Sequence, residues 1–118
     1  MAEYPELSAP ARVADLDAAG PFERKHTPHI STRPSDVVEG ATDITITLGY
    51  YEPHPNEAGH FFDLIEVCAA GVPIARFAGI GGVVAPVVTA TALLEPGCEI
   101  TVLAHCNLHG AWLASAII

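Results

Sequence analysis

From residue 41 to residue 48 the chain alternates strictly, with Ile44, Ile46 and Leu48 set against Thr45 and Thr47. A period of two puts the aliphatic side chains on one face of an extended strand and the threonines on the other, so the segment needs a core on one side only. Apolar or β-branched runs follow at residues 61–69, 73–78, 86–94 and 98–105, separated by Gly71-Val72-Pro73, the glycines of 79–82 and Glu95-Pro96-Gly97. Short strands at that spacing, broken by turn residues, predict an all-β antiparallel sandwich or barrel. Residues 1–21 mix proline, alanine and acids, and read as an N-terminal arm with one short helix over 11–19 that Gly20-Pro21 ends. Residues 22–118 are then a single β domain.

A chain of 118 residues suits one core, burying roughly two-thirds of the surface its unfolded form exposes. No apolar run approaches the roughly 20 residues of a membrane helix, so no membrane partner is expected. The start, Met1-Ala2-Glu3-Tyr4-Pro5-Glu6, carries acid before any base and lacks a hydrophobic segment, from which a cytoplasmic location is expected. Fourteen acids against five bases give a net charge of −9. Such a surface repels phosphate backbones, so no nucleic acid partner is expected either. Cys68, Cys98 and Cys106 include no C-x-x-C pair. That argues against a disulfide framework, for a reducing compartment, and against an iron site built from four thiolates.

The residues with metal-binding chemistry fall in three short stretches. Cys106-Asn107-Leu108-His109-Gly110-Ala111-Trp112 sets a thiolate and an imidazole three residues apart at the end of an apolar run, with Asn107 and Gly110 able to turn the chain back. His54 lies between Pro53 and Pro55, which stiffen the backbone on both sides, and His60 follows just before the run at 61–69. His26 follows Lys25, the only lysine in the chain. A thiolate and imidazole pair suits zinc as readily as iron. For one thiolate and four imidazoles ligand softness alone still does not choose iron, because affinity rises along the first row toward copper, while zinc usually prefers four ligands. His105 should point away from Cys106 on an extended strand, and His29 has no partner in the pattern; both are expected at the surface or behind the ligands. Cys68 and Cys98 read as buried thiols.

The motifs C-N-x-H-G-x-W (106–112), H-P-N-x-x-x-H (54–60) and Lys25-His26 resemble those of the superoxide reductase family, the neelaredoxins and the iron-binding domain of desulfoferrodoxins. The resemblance is to the one-iron form without the desulforedoxin domain. It implies an immunoglobulin-like β-sandwich or barrel of about seven strands and a mononuclear non-haem iron, Fe(2+)/Fe(3+), one per chain. His26, His54, His60 and His109 would form its equatorial plane, and the Cys106 thiolate would lie opposite an open position. It further implies one-electron reduction of superoxide to hydrogen peroxide, with Lys25 attracting the anion. An external electron donor, such as rubredoxin or another reductase, would restore Fe(2+). Asn107 and the amides near Leu108 and His109 are expected to donate hydrogen bonds to the Cys106 sulfur. A homo-oligomer, tetramer or dimer, is expected, with the apolar stretches 79–84 and 114–118 as candidate interface.

One position departs from the family, which commonly reads Glu-Lys-His with the glutamate as a sixth ligand. Here Arg24 occupies that place and Glu23 falls one residue earlier. In extended backbone a one-residue shift reverses the side chain. Either a bulge lets Glu23 still reach, or the sixth position is left open or water-bound. Arg24, whose guanidinium cannot ligate, is expected behind the ligands as a second positive charge. A different class of function uses the same fold and site: a non-catalytic iron-binding redox carrier or a diatomic-gas sensor.

Overall fold

A computed structural model describes residues 10–118. Its elements, in chain order, are β1 (Ala11–Arg12), α1 (Pro21–His26), β2 (His29–Pro34), β3 (Thr42–Thr47), β4 (Phe62–Ala69), β5 (Val72–Phe77), β6 (Val87–Ala92), β7 (Glu99–Cys106) and β8 (Gly110–Ile117). Two sheets result, one ordered β1-β8-β7-β4-β5 and the other β2-β3-β6. All pairings are antiparallel except that of β1 with β8. Seven strands of six or eight residues and one of two form the two-sheet, all-β architecture expected of the sequence.

The alternation at 41–48 acts as its period requires. Ile44 and Ile46 are fully buried, and they face Ile65, Val67, Ile100, Val102, Ala104 and Cys106 from the larger sheet. The threonines project outward, where Thr45 and Thr89 hydrogen-bond across β3 and β6 at 2.9 Å and Thr91 donates to Asp43 at 2.7 Å. Burying one face of each sheet is the main stabilising term for such a sandwich.

The arm departs from expectation. Its residues 1–9 lie outside the described residues, but 11–19 form no helix: Ala11 and Arg12 pair in parallel with Trp112 and Leu113, and residues 15–19 form turns. The helix begins where the sequence suggested one would end. Pro21 occupies its first turn, where a missing N–H costs nothing and a fixed φ suits the helix, with Gly20 as N-cap. Two further strands, β2 and β8, lack a clean period of two and are recognisable only through the partners they pair with.

Every stretch carrying metal-binding chemistry sits at one end of the sandwich. Cys106 ends β7, His109 precedes β8, His60 precedes β4 and His26 ends α1 just before β2. The loop 54–60 is held against the loop 79–84 by Asn56, whose amide donates to the Val84 carbonyl at 3.2 Å and whose oxygen accepts from Gly82 N–H at 3.1 Å. Gly81 allows that approach, because a Cβ there would lie 2.6 Å from the Phe61 ring and also against the Glu57 carbonyl. Gly81→Ala is therefore expected to cost about 1–3 kcal/mol through overpacking. Gly59→Ala, with nothing within 4 Å of the added carbon, should be near neutral; thermal unfolding of the two variants checks the difference.

Candidate metal centre

His26 is fully buried at the last position of α1. Its Nδ1–H donates to the Phe22 carbonyl one turn back at 2.7 Å, and its ring stacks on Trp112 with centroids 4.9 Å apart and planes 15° apart. Trp112 is itself fixed by its indole N–H, which donates to the His109 carbonyl at 3.1 Å. His54 is held in the same way, its Nδ1–H donating to the Pro55 carbonyl at 2.6 Å. In both rings a carbonyl can only accept, so the proton is assigned to Nδ1 and Nε2 carries a lone pair. These two Nε2 atoms lie 3.2 Å apart, and that of His54 is 3.5 Å from Cys106 Sγ.

Two lone pairs at that distance repel and cannot hydrogen-bond to each other. Protonation is a poor remedy, because burial drives the His54 pKa down to about 4, with His26, His60 and Lys25 adding repulsion. The His26 pKa is also lowered, by burial first and then by His109, Lys25 and His60. A metal cation satisfies the arrangement where a proton does not.

The other donors converge on the same place. Ligand atoms of His26, His60, Cys106 and His109 all lie within 4.8 Å of one another. His60 Nε2 is the buried side-chain nitrogen that finds no hydrogen-bond partner among the described residues. Cys106 is fully buried, with Sγ 3.8 Å from His109 Nδ1. Gly110, at φ +80°, closes the turn that brings His109 back beside Cys106. His54 lies outside that group of four, although its Nε2 meets two of its members, His26 and Cys106.

Asn107 works differently from the expectation that it serves the sulfur. Its side-chain amide donates to the Gly59 carbonyl at 3.0 Å, its oxygen accepts from Phe61 N–H at 2.9 Å, and its own backbone N–H donates to the Phe61 carbonyl at 3.1 Å. Asn107 thus grips both sides of His60. The turn between Glu57 and His60, closed by reciprocal backbone bonds of 2.9 and 3.1 Å, completes that grip.

The segment before His26 is helical rather than extended, which changes the reading of Glu23 and Arg24. At 3.6 residues per turn, Glu23 lies about 60° around the helix from His26 and Arg24 about 160°. Arg24 points to the arm, where a guanidinium N–H donates to the Leu16 carbonyl at 2.7 Å, and its charge falls on Tyr51, whose pKa burial raises. The Glu23 residue is exposed and is not among the cluster of ligand atoms. Lys25 is half-buried, and its charge acts on both His26 and His54.

His29 and His105 stand outside the cluster. His29 stacks on Tyr50, with centroids 3.7 Å apart. His105 lies on the opposite face from Cys106 but is 5% exposed rather than at the surface, and its Nδ1 lies 2.6 Å from Asp63 Oδ1. Cys68 and Cys98 are only partly buried, and burial is the first cause of a raised Cys68 pKa. Sequence reasoning missed Phe22 and Asp63. The spacing of Phe22 and His26, four residues apart, was the available signal for the first.

The family model described as Desulfoferrodoxin matches residues 19–115. The Superoxide reductase (Neelaredoxin) from Ignicoccus hospitalis superposes with a TM-score of 0.75 at 27% identity, covering 92% of this chain and 93% of that one. Another structure of the Ignicoccus protein reaches 31% identity over 80% of each chain, with a TM-score of 0.69. The Superoxide reductase (Neelaredoxin) from Archaeoglobus fulgidus in the reduced form shares the fold, at 23% identity, a TM-score of 0.73 and coverage of 96% and 98%.

The depressed histidines predict a direction for metal-free stability. Unfolded, His26 and His54 take up protons near pH 6.5; folded, His54 does so only near pH 4 and His26 below its ordinary value. The unfolded chain therefore binds more protons over that window, and stability falls as pH drops from 6.5 toward 4. Urea titrations of metal-free wild type and His54→Gln should show the smaller pH dependence in the variant.

Proposed function

Given that the chain belongs to the desulfoferrodoxin family, we propose that it is a superoxide reductase. It carries one iron per chain, held by His26, His54, His60, His109 and Cys106. The observation that carries this reading is the meeting of two Nε2 lone pairs 3.2 Å apart beside a buried thiol and the unpartnered His60 nitrogen. Four imidazoles and a thiolate fit iron in number and type, and the family is one that binds iron. When bound, iron supplies a one-electron reductant, Fe(2+) passing to Fe(3+), at a site whose net charge of +1 attracts a small anion.

The chain's own residues supply the rest. Lys25 draws superoxide to the site against the acidic global charge, since its field already reaches His26 and His54. Its ammonium donates hydrogen bonds to the arriving anion and to the water that delivers protons. One electron and two protons convert superoxide to hydrogen peroxide, with no oxygen formed. His26 and His54 keep their rings aimed through the Phe22 and Pro55 carbonyls, and Asn107 keeps His60 in place. An external donor, rubredoxin or another reductase, returns the electron.

Glu23 takes no part in the reduction. Its candidacy as a sixth ligand concerns only the oxidised resting site, and the residue is exposed and outside the cluster of ligand atoms. A redox carrier or gas sensor would share the ligands but would not turn over superoxide.

Anaerobically purified protein should contain about one iron per chain and turn blue on oxidation, through thiolate-to-iron charge transfer. Iron-free, colourless protein sinks the reading. Cys106→Ser is expected to abolish the blue band and most activity. Lys25→Ala should keep the band and slow superoxide capture by about tenfold or more in pulse radiolysis; an unchanged rate removes Lys25 from the mechanism.

A further inference from the structure

The strands that deliver His60 and Cys106 do not meet in regular register. Cys106 lies opposite Phe62, yet the preceding residue of β7, His105, lies opposite Leu64. One step along β7 therefore matches two along β4, and Asp63 is the extra residue of a β-bulge. Such a bulge frees a residue from the ladder and re-aims its side chain. Here the Asp63 carboxylate reaches across to His105, whose Nδ1–H donates to Oδ1 at 2.6 Å. The imidazole side chain is 6% exposed and the carboxylate 28%, so the bond is partly shielded from water. A carboxylate acceptor makes it one of the stronger kinds of hydrogen bond.

Its position matters more than its strength. In consecutive order along the two strands come the Asp63–His105 bond, the Phe62–Cys106 pairing, and the bonds between Asn107 and Phe61 and Gly59. Cys106 thus sits between two side-chain clamps, and His60 lies within the second of them. Register slips by whole residues, so without a lock at the bulge the strand end could re-pair one residue over and carry Phe61 and His60 with it.

We propose that Asp63 and His105 form a positioning clamp that fixes the β4 bulge and so sets the separation of His60 from Cys106, without either residue touching the metal. The clamp rests on the ligand assignment made under Proposed function. It accounts for a buried histidine that the metal does not use and for an irregularity placed beside the site.

Anaerobic Co(2+) titration of the full chain tests it, followed by the thiolate-to-cobalt absorption band, with far-UV circular dichroism for folding. Asp63→Ala is expected to weaken Co(2+) binding by about tenfold or more and to shift the band, as loss of an outer-shell partner does. Asp63→Asn, whose amide oxygen accepts the same bond, should restore both affinity and band position. Asp63→Glu keeps the charge but moves the oxygen by one methylene; it should also weaken binding and shift the band, and it decides the matter if the alanine variant does not fold. Wild-type affinity and band in Asp63→Ala or Asp63→Glu overturn the clamp alone. So does an asparagine variant as impaired as the alanine one, because charge rather than position would then matter. A wild-type chain with no thiolate band overturns the ligand assignment and the clamp with it.

Discussion

The site depends on two backbone carbonyls. Phe22 and Pro55 each accept the Nδ1 proton of the histidine nearest them, and this choice leaves two Nε2 lone pairs facing each other beside a buried sulfur. Nothing within the described residues relieves that opposition, because burial makes protonation unfavourable. The folded chain therefore holds an arrangement that is repulsive without a cation and attractive with one. Folding stability and metal affinity are thereby coupled, as they are wherever a site is organised before its ion binds.

Holding such an arrangement requires stiff supports, and they come from different parts of the chain. α1 is only six residues long, but His26 is packed on Trp112, Thr27 bonds back to the Glu23 carbonyl, and Arg24 ties the helix to the arm at Leu16. His54 is confined by its flanking prolines and by Asn56, which ties its loop to residues 82 and 84. His60 is gripped by Asn107. Cys106 belongs to the hydrophobic core itself, so its sulfur moves only if the sandwich does.

The sheet strands were legible where one face was apolar and the other polar. β3 and the strands near 62–69, 72–77, 87–92 and 99–106 match the expected runs within a residue or two. β8 was not legible, because Trp112, Ala114 and Ala116 face inward without a polar residue at every alternate position to mark the period. The helix was misplaced because Gly20-Pro21 serves equally as a stop and as a start; only the packing of His26 on Trp112 decides which. The same error made Glu23 and Arg24 look like a reversed pair on a strand, when they lie on different sides of a helix.

By itself the sequence determined the chemistry: which donors exist, that they come in three short stretches, and that half of each strand needs a core. Those are local properties of residue type and period, and no fold is needed to read them. The tertiary structure decided direction. It fixed which imidazole nitrogen is free, turned Asn107 from the sulfur to the backbone around His60, turned Arg24 to the arm, and buried His105 against Asp63. Each of those outcomes depends on a partner distant in sequence or on the phase of a helix, and neither is encoded in the spacing of the residues themselves.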